Sequence, residues 1–246
     1  MIKALLMSIG MFSILPVPKQ HWEERSLPWV IPFFPVVGGL IGLLWYAATL
    51  SATKLPLPLQ SVTILLVPFF LSGFLHLDGY IDTADAFFSR RNLEEKRRIL
   101  KDPHVGAFAV VAVICLLLIQ FCTIQTIIIE KKTTFAFIFI PIISRCLTGM
   151  VLLMMKPMAE TGYLAMFRAN TKPVHTFFTA VILAITLMIA FISGGHTVLF
   201  ALVTVIVSAL IISFYFYREF QGLSGDLCGC IVSVSEMTGL LYVAIL

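Results

Sequence analysis

Long runs of apolar residues separated by short polar segments dominate this chain of 246 residues. Each run is about 20 residues long, the length that an α-helix needs to cross the hydrocarbon core of a bilayer. Several runs contain proline, which membrane helices tolerate better than soluble ones. The pattern predicts an all-α, polytopic integral membrane protein with about six to seven transmembrane helices. The runs cover residues 29–53, 61–80, 104–129, 134–155, 175–193, 197–217 and the more polar 227–246.

Composition agrees with this class. Hydrophobic residues make up 59% of the chain and charged residues 12%, whereas about 25% of a soluble domain is charged. A net charge of +4 is too small to indicate a nucleic-acid partner, and five cysteines, an odd number, argue against a disulfide framework. The apolar N-terminal segment before Lys19 is too short to span a bilayer and is predicted to lie at the interface or to be re-entrant. Without repeats or linkers, residues 1–246 are expected to form one domain.

The distribution of basic residues predicts the orientation of the helices. If the N-terminus is cytoplasmic and the runs alternate, thirteen lysines and arginines lie on the cytoplasmic side and three on the other. This places the N-terminus, the polar segment around residues 76–102 and the segment before the last run in the cytoplasm of a cell whose inner membrane holds the protein. The cytoplasmic cations are Lys3, Lys19, Arg25, Arg90, Arg91, Lys96, Arg97, Arg98, Lys101, Lys156, Arg168, Lys172 and Arg218.

Three aspartates, Asp78, Asp82 and Asp85, follow one another at spacings of four and three at the end of the second run. If residues 76–86 continue that helix, the carboxylates lie within about 60° of one another on one face. Like charges near lipid are costly, and a divalent cation such as Mg²⁺ or Mn²⁺ would compensate them. The alternative is three solvated acids paired with Arg90 and Arg91. His76 lies opposite Asp78 and is interpreted as a packing or hydrogen-bonding residue.

The next segment, RRNLEEKRRILKDPHVGAF, is predicted to form an amphipathic helix in which glutamates pair with arginines at helical spacing. Its net positive strip either rests on anionic lipid or binds a phosphate-bearing substrate. Asp102 precedes a proline, so we expect it to lie outside the helix, from where it could turn back toward the metal.

A second polar group lies in QGLSGDLCGCIVSVSE, residues 221–236. Glycines and Ser224 predict a turn before a helix that starts near Asp226, where backbone N–H groups could bind phosphate oxygens. Asp226 alone is also explained as an N-cap. Glu236, two turns deeper in an apolar helix, is not explained by capping. Arg145, inside an apolar run, requires an anionic partner, either a carboxylate or a substrate phosphate.

Taken together, these segments resemble the cobalamin synthase family, the membrane-bound adenosylcobinamide-GDP ribazoletransferases. GFLHLDGYIDTADAFFSR is similar to the HLDG-x-x-DT-x-D signature of that family, and KDPHVGAF to its KDSRIGAF-type segment. LPVP, GGLIG, the Ser144–Arg145 pair and GLSGDLCG match in the same order over most of the chain. A single D-x-x-x-D would be weak support, but the ordered set is specific.

The resemblance implies a Mg²⁺-dependent transfer in the cytoplasmic membrane. The family joins α-ribazole, or its 5′-phosphate, to adenosylcobinamide-GDP, with release of GMP and closure of the nucleotide loop. By this resemblance Asp78, Asp82 and Asp85 are the catalytic and metal-binding carboxylates, and Asp82 is our candidate base. The residues assigned to substrate binding are Lys101, Asp102, Arg145, Asp226 and, in the basic segment, Arg90. Membrane lipid is an expected partner, and homo-oligomerisation is left open.

The sequence also departs from the family pattern. Ala86 stands where a glycine is usual, Ser233 where a glutamate is frequent, and Pro103 and His104 replace serine and arginine. These changes leave the aspartates intact. One alternative is a CDP-alcohol phosphotransferase, but its DG-x-x-AR signature is not met, because Asp82 and Thr83 occupy the Ala and Arg positions. A cation-coupled transporter is a second alternative, supported only by charge within the membrane.

Overall fold

The computed structural model describes residues 1–18, 23–160, 162–169 and 171–246, so Lys19 lies outside the described residues. These residues form helices joined by short loops, and the described part contains no strand beyond one isolated bridge. Five helices are long and apolar enough to cross a membrane, or six if α4 and α5 count as one bent span. The helices are α1 (Ile2–Phe12), α2 (Leu27–Val30), α3 (Phe34–Ser51), α4 (Leu57–Leu71), α5 (Leu75–Phe88), α6 (Leu93–Ile99), α7 (Ala107–Ile129), α8 (Ala136–Met154), α9 (Tyr163–Ala169), α10 (Pro173–Phe220) and α11 (Gly225–Ile245).

Helix α8 is the centre of the bundle and packs against α3, α10 and α11. Its apolar window is 78% buried, against 33% for α7, so α8 faces protein on nearly all sides. Gly38 and Gly42 of α3 lie directly on the backbone of α8, at Pro141 and Ile138, where a Cβ would collide with carbonyl oxygens. Two glycines four residues apart permit this close helix contact. The GGLIG segment is therefore a packing motif.

The second apolar run does not form one continuous helix, contrary to the prediction for residues 61–80. Helix α4 ends at Leu71, and Gly73 and Phe74 adopt left-handed φ values of 61°. Each of these conformations interrupts the helical hydrogen-bond pattern. Helix α5 consequently leaves at 91° to α4. The three aspartates nevertheless share one helix, because α5 contains all of them.

The predicted division of residues 175–193 and 197–217 into two runs is confirmed by a break within α10. An unbroken helix of 48 residues would be about 72 Å long, more than twice the hydrocarbon thickness of about 30 Å. Gly195 has φ 66° and ψ −159°, a conformation open almost only to glycine, and it separates the two halves.

Polar segments that are distant in the sequence converge at one end of the bundle, as predicted. The loop after α8 pairs with the loop before α11: Leu223 donates its N–H to the carbonyl of Lys156, and Met158 donates to Leu223. From α6, the Arg97 guanidinium donates to the carbonyls of Phe220 (2.7 Å) and Gln221 (3.2 Å). These bonds hold α6 and the loop after α8 against the segment that connects α10 to α11.

Candidate active site

The aspartates of α5 lie where α5 crosses the first turns of α11. A Cβ on Gly79 would lie 2.6 Å from the carbonyl oxygen of Asp226, and one on Gly229 would lie 3.1 Å from the carbonyl oxygen of His76. Only glycine at these two positions allows backbones to approach this closely. This close helix approach brings Asp78 of α5 and Asp226 of α11 to the same cavity.

The start of α11 is capped by Ser224, whose Oγ accepts the N–H of Leu227 at 3.2 Å. The interpretation of Asp226 as the N-cap is therefore wrong, because Asp226 lies inside the first helical turn. Its carboxylate receives one long hydrogen bond from Ser224, at 3.4 Å, and remains half-exposed. Asp226 is thus available to a ligand near the positive end of the helix dipole.

The carboxylates of Asp78, Asp82 and Asp85 form no ion pair or hydrogen bond with any described residue. The expected alternative, pairing with Arg90 and Arg91, is not observed among those residues. Asp82 is repelled by the charges of Asp78, Asp85 and the nearby Asp226. The Asp85 carboxylate lies against Gly106, the residue that precedes α7, where a side chain would collide with it. The group therefore carries uncompensated negative charge.

A cavity of about 520 Å³ opens beside these acids. Asp78 and Asp226 line it together with two cations from the α6 segment, Arg97 and Lys101. The structure thus brings together three of the residues assigned from sequence and adds Arg97. The remaining assigned residues are not among those that line it: Asp82, Asp85, Arg90, Asp102 and Arg145.

Asp102 lies outside α6, as predicted, but it does not turn toward the other aspartates. One carboxylate oxygen accepts the backbone N–H of His104 at 3.0 Å and lies 2.7 Å from Nδ1 of the same residue. These bonds lower the pKa of Asp102 below its usual value, the backbone bond contributing most. Arg90 is exposed, with a left-handed φ of 52°.

Comparison with known proteins identifies the family. The family described as cobalamin-5-phosphate synthase matches residues 4–244, nearly the whole chain. The chain belongs to this family. It is 35% identical to the adenosylcobinamide-GDP ribazoletransferase of Clostridium perfringens (strain SM101 / Type A), over 99% of this chain and 98% of that protein. The protein of the same name from Clostridium botulinum (strain Alaska E43 / Type E3) is 32% identical over 97% and 95% of the two chains. No solved structure matches.

The resemblance noted in the sequence is thereby confirmed, and the signature segments of this cobalamin-5-phosphate synthase family member can be located. HLDG-x-x-DT-x-D forms α5, and GLSGDLCG forms the capped start of α11 that crosses it. KDPHVGAF connects α6 to α7 and places Gly106 against Asp85. The three segments most characteristic of the family therefore surround one end of the bundle.

Arg145 has a carboxylate partner in this structure. It is 1% exposed, and its Nη1 lies 2.5 Å from Oε1 of Glu236, which also accepts a hydrogen bond from Ser144 at 2.8 Å. Nη2 lies 3.4 Å from Nδ1 of His76, a buried residue of α5 as expected. The sequence left either a carboxylate or a substrate phosphate as the partner of Arg145, and the structure shows a carboxylate. The pair explains why Glu236 lies deep in α11.

The donor set suits a hard divalent cation, although no group of three His, Cys, Asp or Glu side chains among the described residues is arranged to hold a metal ion. Mg²⁺ is usually bound through one or two carboxylates together with waters and substrate phosphates. Asp78 and Asp226 supply two carboxylates at one cavity wall, and their repulsion of Asp82 is of the kind that a cation relieves. The residues present therefore fit Mg²⁺ in a complex with a phosphate substrate.

Two polar residues of the cavity wall, Arg97 and Thr148, were not assigned individually from the sequence. Arg97 belonged only to the basic strip as a whole, although it precedes Lys101 by four residues. Thr148, in the apolar helix α8, gave no signal at all in the sequence, because a single threonine in a membrane helix is unremarkable. Its position at the cavity became visible only from the packing of α8.

Proposed function

We propose that the protein transfers a cobinamide phosphoryl group from adenosylcobinamide-GDP to α-ribazole or its 5′-phosphate and releases GMP. The observation that carries this proposal is the meeting of Asp78 and Asp226 with Lys101 and Arg97 at one cavity. Cations beside carboxylates suit a diphosphate and its metal ion. Family membership and the names of the relatives support the same reaction. The match does not favour a CDP-alcohol phosphotransferase or a transporter.

In this reaction a ribose hydroxyl oxygen of ribazole forms a bond to the phosphorus that carries cobinamide. The bond from that phosphorus to the bridging oxygen breaks, and GMP leaves with the oxygen. Lys101 and Arg97 are proposed to orient the diphosphate and to stabilise charge on the departing phosphate. When bound, Mg²⁺ neutralises phosphate charge during such a transfer.

The hydroxyl proton requires an acceptor, and we assign it to the aspartates of α5. Asp82 is the candidate, because its partial burial and then repulsion by three neighbouring carboxylates make it the more ready to take up a proton. Asp78, one helical turn away, lies at the cavity wall and is proposed to hold the cation together with Asp226. Asp85, which lies against Gly106, adds to the negative charge around Asp82.

The reaction is tested by GMP release from purified protein mixed with adenosylcobinamide-GDP, α-ribazole phosphate and Mg²⁺. We expect Asp78→Asn, Asp82→Asn and Asp226→Asn each to lower the rate by at least about a hundredfold, as losses of catalytic groups do. The matched control is Glu130→Gln, an exposed acid just after α7. EDTA should abolish the reaction, and added Mg²⁺ should restore it. CMP release from CDP-diacylglycerol and an alcohol, with no GMP, would refute the proposal.

We further propose that the protein resides in the inner membrane with its N-terminus and active site in the cytoplasm. The asymmetry of thirteen cations to three supports this orientation. In a variant without native cysteines, a cysteine at Glu94 should react with an impermeant maleimide only after the cells are opened. A cysteine at Glu130 should react in intact cells, and the reverse pattern would refute the orientation.

A further inference from the structure

The hydroxyl of Thr148 is a buried polar group that nothing in the described structure satisfies. Thr148 is 1% exposed, lines the cavity, and its Oγ1 has no hydrogen-bond partner there. Buried hydroxyls are nearly always paired, and in helices the usual partner is a carbonyl one turn earlier. Thr123 of α7 shows that arrangement, with its Oγ1 2.7 Å from the carbonyl of Ile119. Thr148 therefore holds an unpaired donor in the wall of the cavity.

Much of the cavity wall is apolar and rich in aromatic rings. Phe12 and Phe34 have ring centroids 4.4 Å apart, and the ring of His76 lies 5.8 Å from Phe34. Leu152, one turn after Thr148 on α8, and the buried Phe167 of α9 belong to the same apolar cluster. Asp78, Asp226, Arg97 and Lys101 supply the charged part of the wall. The cavity thus combines an aromatic region, with the unpaired hydroxyl of Thr148 in its wall, and a charged region.

We propose that the aromatic region binds the dimethylbenzimidazole ring of α-ribazole, and that Thr148 donates a hydrogen bond to the ring nitrogen not bonded to ribose. This inference rests on the proposed function and assigns that substrate to one part of the site. A volume of about 520 Å³ lies in the range that holds a drug-sized ligand. The corrinoid is several times larger than such a ligand, so it must remain largely outside the cavity.

The polar inventory of the wall favours this ring over guanine, the other aromatic base in the reaction. Dimethylbenzimidazole in α-ribazole has one exposed ring nitrogen, an acceptor, which the hydroxyl of Thr148 can satisfy. Guanine carries a carbonyl, an amino group and a ring N–H, and these need more partners than the apolar part of the wall supplies. With the base near Thr148, the ribose would extend toward the aspartates of α5, where its hydroxyl must react.

The test compares the Michaelis constants of the two substrates in Thr148→Val, which keeps the shape of the side chain and removes its hydroxyl. We expect the KM for α-ribazole to rise about tenfold, the effect of one neutral hydrogen bond, while the KM for adenosylcobinamide-GDP changes less than twofold. Thr148→Ser, which keeps a hydroxyl, should have the wild-type KM for α-ribazole. Thr123→Val, whose hydroxyl is already paired away from the cavity, is the matched control and should leave both constants unchanged.

A substrate analogue makes the test independent of how well any variant folds. In the riboside of dimethylindole, a C–H group replaces the acceptor nitrogen, so wild-type protein should use it with about tenfold lower kcat/KM. Thr148→Val should no longer discriminate between the two ribosides. Equal use of both by wild type, or a KM change confined to adenosylcobinamide-GDP in Thr148→Val, would overturn this inference and leave the proposed function intact. Absence of GMP release from wild type with α-ribazole would overturn the proposed function first.

Discussion

Substitution of Glu236 by glutamine would remove one partner of the most buried ion pair in the described structure. Arg145 is 1% exposed and the Glu236 side chain 10%, and their closest atoms are 2.5 Å apart. At an effective dielectric constant of about 20, the attraction between unit charges at that distance is about 6–7 kcal/mol. The loss of hydration on burial costs several kcal/mol for each ion and offsets most of it. The intact pair therefore adds little to the free energy of unfolding, but one buried ion left without its partner lowers that free energy substantially.

For Glu236→Gln we expect a loss of about 3 kcal/mol in the free energy of unfolding, the lower end of the range for broken buried pairs. The amide oxygen can still accept a hydrogen bond, and Arg145 keeps its bond to the carbonyl of Pro141 at 3.1 Å. On the scale of soluble domains of 150–250 residues, this loss lowers the melting temperature by about 6–12 °C. Replacement of the pair by apolar residues, in Arg145→Met with Glu236→Leu, should recover most of the loss.

The assay is retention of the monodisperse peak on size exclusion after heating in detergent, with Glu95→Gln as the matched control. Glu95 pairs with Arg98 at 2.9 Å, but the side chains are 41% and 76% exposed, so less than about 1 kcal/mol is expected. A Glu236→Gln melting temperature within about 2 °C of the wild type would refute the buried pair. It would then favour the other interpretation of Arg145, as a ligand of substrate phosphate.

Three further predictions concern close contacts and loops. Gly79→Ala should destabilise the protein by about 1–3 kcal/mol and suppress GMP release, because the added Cβ would collide with the α11 backbone. The control is Gly225→Ala, which has open space around it and should leave the melting temperature nearly unchanged. Gly195→Ala should cost about 1–3 kcal/mol, since φ 66° and ψ −159° are open almost only to glycine, and an unchanged melting temperature would contradict the break in α10. The folded pKa of Asp102 is depressed, so the stabilisation by its His104 bonds is present above the unfolded pKa and is lost as the pH falls through the folded pKa. His104→Ala keeps the backbone bond and should therefore raise the pKa of Asp102 only part of the way to 3.8. Carboxyl ¹³C NMR titration would measure this change.

Much of the fold was accessible from the sequence because membrane helices are encoded locally. The apolar runs marked α3, α7, α8 and both parts of α10 to within a few residues. The prediction of one helix over residues 61–80 was wrong, because Gly73 and Phe74 are individually compatible with an apolar helix. Their left-handed conformations depend on where α5 can pack. Hydropathy alone carries no information about the direction in which a helix continues.

The sequence by itself determined that the protein is helical and membrane-embedded, and that Asp78, Asp82 and Asp85 share a face. Spacings of four and three produce that face in any α-helix, whatever surrounds it. The family signature also indicated the reaction class, because the signature is a set of motifs in a fixed order along the chain and can be recognised without knowledge of contacts.

Only the tertiary structure decided which distant groups meet. Asp78 and Asp226 reach one cavity because Gly79 and Gly229 let α5 and α11 cross backbone to backbone. Arg145 is paired with Glu236, 91 residues away, and Thr148 lies in the cavity wall with no hydrogen-bond partner for its hydroxyl among the described residues. Such contacts depend on how helices pack, and a helix with the same local sequence could form different ones in another bundle.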